Sequence, residues 1–125
     1  MKKIMGLCLA MVLILSFSSV AFADVLWVNG DRITSTSWEK TFETDDKNGK
    51  ILNVYLKNNS SSAKARMKIV LGGFDLGGYF TVDPGKDRLR QISIIGKKTV
   101  EIYLEADGLS GEKMDVSLNV RQHTK

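Results

Sequence analysis

Cysteine, histidine and proline each occur only once in this chain of 125 residues. Cys8 lies in an apolar leader, so the remainder of the chain has neither a disulfide nor a thiol nucleophile. His123 stands in a polar tail, residues 122–125, which we predict to be loose, so a Ser-His-Asp triad or a histidine-based metal site has no centre. A pair of carboxylates is the one catalytic arrangement left open. These absences predict a non-enzymatic protein without a cofactor.

Long apolar runs are also scarce, and the one that exists begins the chain. Lys2 and Lys3 precede the apolar residues 4–17, and Ala21-Phe22-Ala23 follows as a small-residue cleavage site. The run is short for a membrane span of roughly 20 residues. The pattern is that of a bacterial secretory signal peptide cleaved after Ala23, and it predicts secretion. The 102 residues that remain, 24–125, are enough for one domain with its own core.

Neither sign of charge dominates. The chain has 18 basic and 14 acidic side chains, and the net charge of +4 falls to +2 when Lys2 and Lys3 leave with the leader. A domain so close to neutral lacks the basic field of a nucleic-acid-binding protein. We therefore expect no nucleic-acid partner.

What the chain does contain is alternation of apolar and polar residues, the period of a β-strand with one buried face. The alternation predicts strands at 37–44, 51–57, 63–71, 79–82, the second half of 87–95, 99–105 and 113–121, with 25–28 as an edge strand or a partly ordered arm before an Asn29-Gly30 turn. Residues 51–71 read as a hairpin closed by the polar loop 58–62, and residues 107–111 read as a second hairpin connection. The prediction is an all-β fold, a single antiparallel β-sandwich of seven to eight strands, with a small β-barrel as the alternative.

Two polar connections are interpreted as turns. Residues 44–50 loosely resemble a calcium loop, but Thr44 and Tyr55 occupy positions where acidic ligands belong. Pro84 and Gly85 suit the two central positions of a type II turn.

The order of strand, Asn58-Asn59-Ser60 turn, strand, the run FTVDPGK at residues 80–86 and a final strand pair resembles the immunoglobulin-like β-sandwich domains of bacterial secreted adhesion and accessory proteins. The resemblance covers residues 51–121. It implies an immunoglobulin-like fold, extracellular binding or spacing, and no catalytic residues. The cysteines and buried tryptophan of antibody-type domains are missing, so the resemblance is to their cysteine-free relatives.

Three sets of residues are candidates for ligand binding. The first is the basic row Lys64, Arg66 and Lys68 on one strand face, with Lys57 expected across the hairpin. Such a row suits an anionic wall polymer or a membrane surface. Alternatively, it is an ordinary exposed sheet face, or an edge that charge protects from aggregation.

The second set is Phe74 and Leu76 on the glycine-rich loop 72–78, as a binding tip or as a plug for one end of the sandwich. The third is Tyr55 and Tyr103, whose places on the polar strand faces suit the stacking of a sugar ring; Trp38 is assigned to the core.

Taken together, these features predict a secreted, non-enzymatic binding or structural module at the bacterial cell surface or outside the cell. Its expected partner is a cell-wall polysaccharide or an extracellular protein. The alternatives are a membrane-active, toxin-like protein and an inhibitor of an extracellular hydrolase. Self-association through edge strands is compatible with each.

Overall fold

The computed structural model describes residues 25–107 and 112–124. The predicted signal peptide and its cleavage site lie outside the described residues, as does most of the 107–111 connection. The described residues form nine strands, β1 Val25–Ile33, β2 Ser37–Glu43, β3 Ile51–Asn58, β4 Lys64–Leu71, β5 Phe74–Asp75, β6 Phe80–Val82, β7 Asp87–Ser93, β8 Thr99–Asp107 and β9 Val116–His123, and one short 3-10 helix, Asp46–Asn48.

The strands form two antiparallel sheets. The first sheet has the order β1-β9-β3-β7, and the second has the order β2-β8-β4-β5, with β6 also paired to β4. The antiparallel β-sandwich is therefore confirmed. No ladder joins the two sheets within the described residues, so the barrel alternative is set aside.

The connections differ from the hairpins that we expected. Strands β1 to β4 alternate between the sheets, as do β7, β8 and β9. This is the arrangement of a jelly roll, whereas immunoglobulin domains pair neighbouring strands such as A and B within one sheet. The resemblance to immunoglobulin-like domains therefore holds for the sandwich and not for the order of its strands.

The predicted hairpin at residues 51–71 is wrong, because β3 and β4 lie in opposite sheets. Asn58 is fully buried at the bend. Its Nδ2 donates to the carbonyl oxygens of Ala63 (2.8 Å) and Val82 (2.9 Å), and its Oδ1 accepts from the Ser60 amide (3.0 Å). These bonds hold an arch across the core in place of a turn within one sheet. Lys57 consequently lies in the first sheet, away from the basic row on β4. Strands β8 and β9 likewise lie in opposite sheets and do not pair with each other.

The core fills the space between the sheets with side chains from alternate positions, as the sequence predicted. Twelve inward apolar side chains of the four interior strands β3, β4, β8 and β9 are at most 1% exposed: Leu52, Val54, Leu56, Ala65, Met67, Ile69, Val100, Ile102, Leu104, Val116, Leu118 and Val120. Met114 is also buried, whereas Trp38 packs against the core only in part. Burial of this apolar surface is the main stabilising term of such a fold.

Three local predictions are corrected and one is confirmed. Asn29-Gly30 is a bulge inside β1, where Gly30 has φ 64° and the pairing register with β9 shifts. Strand β7 begins at Asp87, earlier than expected. Gln122, in the tail predicted to be loose, is fully buried within β9. The type II turn at Pro84 is confirmed: Gly85 has φ 75°, and the Lys86 amide donates to the Asp83 carbonyl at 3.0 Å.

Side chains close both open sides of the sandwich. Between β1 and β2, the rings of Trp27 and Phe42 stack with centroids 4.6 Å apart, and Lys40 Nζ donates to the Trp27 carbonyl at 2.9 Å. Between β6 and β7, the guanidinium carbons of Arg88 and Arg90 lie 4.9 and 5.5 Å from the centroid of the Phe80 ring. Cations that point inward at sheet edges oppose the addition of further strands. Self-association through edge strands stays a prediction that these contacts disfavour.

Candidate functional site

The outer face of the first sheet carries a shallow groove of about 270 Å³ that crosses all four strands. Its lining consists of apolar, amide and aromatic side chains with one arginine: Leu26, Asn53, Tyr55, Leu89, Asn119 and Arg121. The strand registers place these residues together, since Tyr55 lies opposite both Leu89 and Asn119, and Arg121 lies opposite both Asn53 and Leu26. We call this surface the first face.

Tyr55 stands on β3 near the middle of the first face. Its hydroxyl donates to Asp87 Oδ2 at 2.7 Å, and this hydrogen bond raises the pKa of Tyr55 above the ordinary value of 10.0. Leu89, which is 56% exposed, borders the ring on one side. The side chain of Tyr55 is half-buried, and its hydroxyl is fixed by Asp87.

Asn53 links the first face to the buried end of β9. Its Nδ2 lies 2.7 Å from Nε2 of His123, a residue only 5% exposed, while its buried Oδ1 has no hydrogen-bond partner among the described residues. This contact ties the imidazole of His123 to the Asn53 amide. The prediction that nothing fixes His123 is therefore wrong.

Gln122 explains why the end of β9 is buried. Its Nε2 donates to the carbonyl oxygens of Asp45 (2.7 Å) and Gly49 (2.9 Å), and its Oε1 accepts from Trp27 Nε1 (3.1 Å). Three partners offset the cost of removing one amide from water. Gly49 packs so closely that a Cβ at this position would lie 2.2 Å from the backbone carbonyl of His123. These contacts fix the end of β9, the strand that carries Asn119 and Arg121 of the first face.

The outer face of the second sheet, which we call the second face, carries the predicted basic row. Lys64 lies opposite Asp107, and Arg66 forms an ion pair with Glu105, which lies opposite it on β8. Lys68 Nζ lies 5.0 Å from the ring centroid of Tyr79 and 4.9 Å from that of Tyr103. The three cations do share a face, but acids and aromatic rings surround them.

Tyr103 therefore has surroundings unlike those of Tyr55. Its hydroxyl donates to Glu101, and this hydrogen bond, with smaller contributions from desolvation and nearby negative charge, raises the pKa of Tyr103 to about 12. A groove of about 360 Å³ lies beside the ring, lined by Ser37, Trp38, Glu39, Tyr79, Tyr103, Leu104 and Glu105. Tyr55 and Tyr103 point away from opposite sheets, so they cannot form one platform.

Loop 72–78 divides the two apolar residues predicted to act together. Leu76 packs against the core, and its amide donates to the Ile69 carbonyl at 2.9 Å. Phe74, by contrast, is 77% exposed beside the turn formed by Gly72 and Gly73. Leu76 thus matches the plug interpretation, and Phe74 projects as the tip interpretation expected.

No protein-family model matches the chain, and the search of curated proteins gave no match. Among solved structures, the chain is similar to a family 35 carbohydrate-binding module from Clostridium thermocellum, with a TM-score of 0.51 and 9% identity over 82% of this chain and 99% of that one. It is also similar to the CBM36-1 domain of a multidomain xylanase from the hindgut metagenome of Trinervitermes trinervoides (TM-score 0.49, 13% identity, 82% and 98% covered). A third similar structure is the module CBM36 in complex with calcium and xylotriose (TM-score 0.45, 14% identity, 80% and 98% covered). At these identities, the first of the three shows a shared β-sandwich fold.

Within the ranges that the structure describes, no group of three or more His, Cys, Asp or Glu side chains is arranged to hold a metal ion. Within the same ranges, no helix has the length and apolar character needed to cross a membrane.

Sequence reasoning found Tyr55 but missed the other residues that line its groove. Alternation already marks Asn53, Asn119 and Arg121 as outward, and Leu89 alternates with inward residues of its strand in the same way. That they surround Tyr55 depends on strand pairing, for which the sequence carries no local signal.

Proposed function

We propose that this protein is a secreted, non-enzymatic module that binds polysaccharide at the bacterial cell surface or outside the cell, and that the first face is its binding surface. The observation that carries the proposal is the half-buried ring of Tyr55, held at its hydroxyl within an open groove that crosses the sheet and that Asn53 and Asn119 also line.

The chemistry of that groove suits a sugar chain. A pyranose ring has an apolar face that packs on an aromatic ring, and its rim of hydroxyls both donates and accepts hydrogen bonds. Side-chain amides do the same, so Asn119 matches hydroxyls without a charge requirement. Leu26 and Leu89, 49% and 56% exposed, add apolar borders. The groove crosses the strands and is open to solvent, which suits an extended polymer better than a small molecule that needs enclosure.

One further observation supports the proposal. The neighbour of the same fold from Clostridium thermocellum is a carbohydrate-binding module. Secretion rests on the leader sequence, residues 1–23.

The test compares two tyrosines that occupy equivalent places on opposite faces. The purified protein is incubated with isolated bacterial cell wall and, separately, with insoluble xylan, cellulose and chitin, and the bound fraction is measured as a function of protein concentration. We expect Tyr55→Ala to weaken retention about thirtyfold, the equivalent of about 2 kcal/mol for the loss of a central aromatic contact.

Tyr103→Ala is the matched control and should change retention less than threefold. Equal losses in the two variants would place the ligand elsewhere. Retention that falls steeply with salt would indicate a charged contact instead of stacking. Absence of retention on every polymer, with intact folding, would reject polysaccharide as the ligand.

A further inference from the structure

The two most exposed large apolar side chains among the described residues are not on the first face. Phe74 is 77% exposed and Ile95 is 78% exposed, whereas Leu26 and Leu89 on the first face are 49% and 56% exposed. A side chain that keeps three quarters of its surface in water contributes little to the core. The exposure of Phe74 and Ile95 therefore calls for an explanation other than folding.

Phe74 and Ile95 belong to adjacent loops at one end of the sandwich. The Gly72 amide, in the turn before Phe74, donates to the Thr99 carbonyl at 2.8 Å. A Cβ on Gly72 would lie 3.5 Å from Cδ of Lys98, so this turn contacts the segment that follows Ile95. We call Phe74, Ile95, Lys97 and Lys98 the apical cluster.

The two loops that carry Phe74 and Ile95 are each anchored to the core by a neighbouring apolar residue. Gly72 and Gly73 have φ of 57° and 88°, the left-handed values of a tight two-residue turn between paired strands, and Leu76 anchors the returning strand to the core. On the other loop, Ile94 is fully buried while its neighbour Ile95 points outward. Since each loop buries one apolar residue and projects another, the projection is a fixed feature of the surface.

The charges around the apical cluster match a phospholipid headgroup layer. Lys97 and Lys98 are exposed and lie on the same loop as Ile95. Lysines at this position can place their ammonium groups at the level of lipid phosphates while their stems lie along apolar surface. The acids at this end of the sandwich include Asp75, whose Oδ1 accepts from the Gly78 amide, and Asp45, whose Oδ1 accepts from the Lys47 amide.

The whole end of the sandwich is nearly balanced in charge. Among the side chains that the structure describes, the basic residues Lys47, Lys50, Lys97 and Lys98 outnumber the acids Glu43, Asp45 and Asp75 by one. Long-range attraction is therefore weak, and insertion of the two apolar side chains has to provide most of the affinity. A protein partner would need a continuous complementary surface, whereas acyl chains deform around isolated projecting side chains.

From these observations we propose that the apical cluster is a membrane-docking tip, in which Phe74 and Ile95 insert into the interfacial region of a phospholipid bilayer and Lys97 and Lys98 contact the lipid phosphates. This tip is separate from the polysaccharide groove. It also replaces the pairing of Phe74 with Leu76 and the basic row that the sequence suggested for a membrane contact.

The test is co-sedimentation of the purified protein with vesicles of phosphatidylethanolamine and phosphatidylglycerol, and with vesicles of phosphatidylcholine alone. We expect partition into both, stronger for the anionic vesicles by about threefold and reduced less than threefold by 0.5 M salt. Replacing both apolar residues (Phe74→Ser with Ile95→Ser) should lower the partition coefficient at least tenfold, because both insertions are lost.

Leu89→Ser is the matched control, since it removes an exposed apolar side chain from the first face and should leave vesicle binding unchanged. An unchanged melting temperature of the double variant would show that folding is intact. The proposal is overturned if the unsubstituted protein does not sediment with either vesicle type, if Leu89→Ser reduces binding equally, or if Phe74→Ser abolishes a dimer seen by sedimentation velocity. Retention on polysaccharide should be the same in the double variant, so the two proposals fail independently.

Discussion

The two outer faces of the sandwich each present a half-buried tyrosine from an interior strand, and the two rings have different neighbours. Tyr55 has Leu89 and Asn119 as its cross-strand neighbours. Tyr103 has Lys68 as its neighbour on β4, and the ammonium lies 4.9 Å from the ring centroid. The same residue type in the same kind of position thus has uncharged cross-strand neighbours on the first face and a cation against its ring on the second.

The difference lies in the residue opposite each tyrosine and not in the tyrosine itself. On a sheet, directly opposed side chains are the nearest neighbours and decide what an outward ring contacts. Lysine opposite tyrosine gives an internal cation–π contact, whereas leucine and asparagine give uncharged contacts. The first face is also supported from behind by buried polar contacts of β9, and the second by cation–π and ionic contacts on its own surface.

The largest loss of stability is expected from Gly49→Ala, which disturbs the close contact between Gly49 and the end of β9. The new Cβ would lie 2.2 Å from the carbonyl carbon of His123, so the end of β9 or the 45–49 loop has to move, and the left-handed φ of 121° adds strain. We expect the free energy of unfolding to fall by about 3 kcal/mol, the sum of overpacking and backbone strain, as measured by urea denaturation.

Gly30→Ala separates those two contributions. Gly30 also has a left-handed φ, 64°, but its Cβ would meet nothing within 4 Å. The expected loss is therefore about 1 kcal/mol, from backbone strain alone. If the two variants lose equal stability, close packing of Gly49 against His123 is not what supports the first face.

A smaller effect is expected from Lys68→Met, which uncovers the second face. The substitution keeps the length of the side chain and removes the charge that lies near Tyr79 and Tyr103. Two exposed cation–π contacts of about 0.5 kcal/mol each predict a loss of about 1 kcal/mol in urea denaturation. Lys64→Met, on the same strand face but without a ring contact, should cost less than half as much. If it costs as much as Lys68→Met, general charge and not the tyrosine rings explains the effect.

The sequence was sufficient to predict which side of each strand faces the core. Alternation placed Val100, Ile102 and Leu104 inside and Tyr103 outside, and the structure agrees, because the direction of a strand side chain follows from its parity alone. Alternation does not predict which strands pair with each other. Lys68 meets Tyr103 only because β4 pairs with β8, strands far apart in the chain, and alternation says nothing about which strands are neighbours.

Two other predictions, the hairpin loop after Asn58 and the loose tail at Gln122, were wrong for local physical reasons. The loop after Asn58 was expected to close a hairpin because its residues favour turns, but the buried Asn58 amide bonds Ala63 and Val82 across an arch. Gln122 was expected to be exposed because it is polar, yet three hydrogen bonds make its burial favourable. In both cases a side-chain amide bonds backbone carbonyl groups that come together only when the chain folds.

The smallest effect, and the most specific to the contrast between the faces, is expected in the titration of the tyrosines. The hydrogen bond to Glu101 raises the pKa of Tyr103 to about 12, and the bond to Asp87 raises that of Tyr55 in the same direction. A raised pKa means that the protonated phenol is favoured in the folded state. The contribution to stability is therefore complete below pH 10, the ordinary value, and is lost as the pH rises through the folded value near 12.

Absorbance at 295 nm during alkaline titration follows this loss directly. Glu101→Gln should move the last tyrosine transition from about pH 12 toward 10, since the largest cause of the shift is removed while the side chain keeps its shape. Asp87→Asn is the control on the first face and should advance the Tyr55 transition without moving the last one. If Glu101→Gln leaves the last transition in place, the Glu101 contact is not what holds the Tyr103 phenol. The difference in surroundings between Tyr55 and Tyr103 would then rest on Lys68 alone.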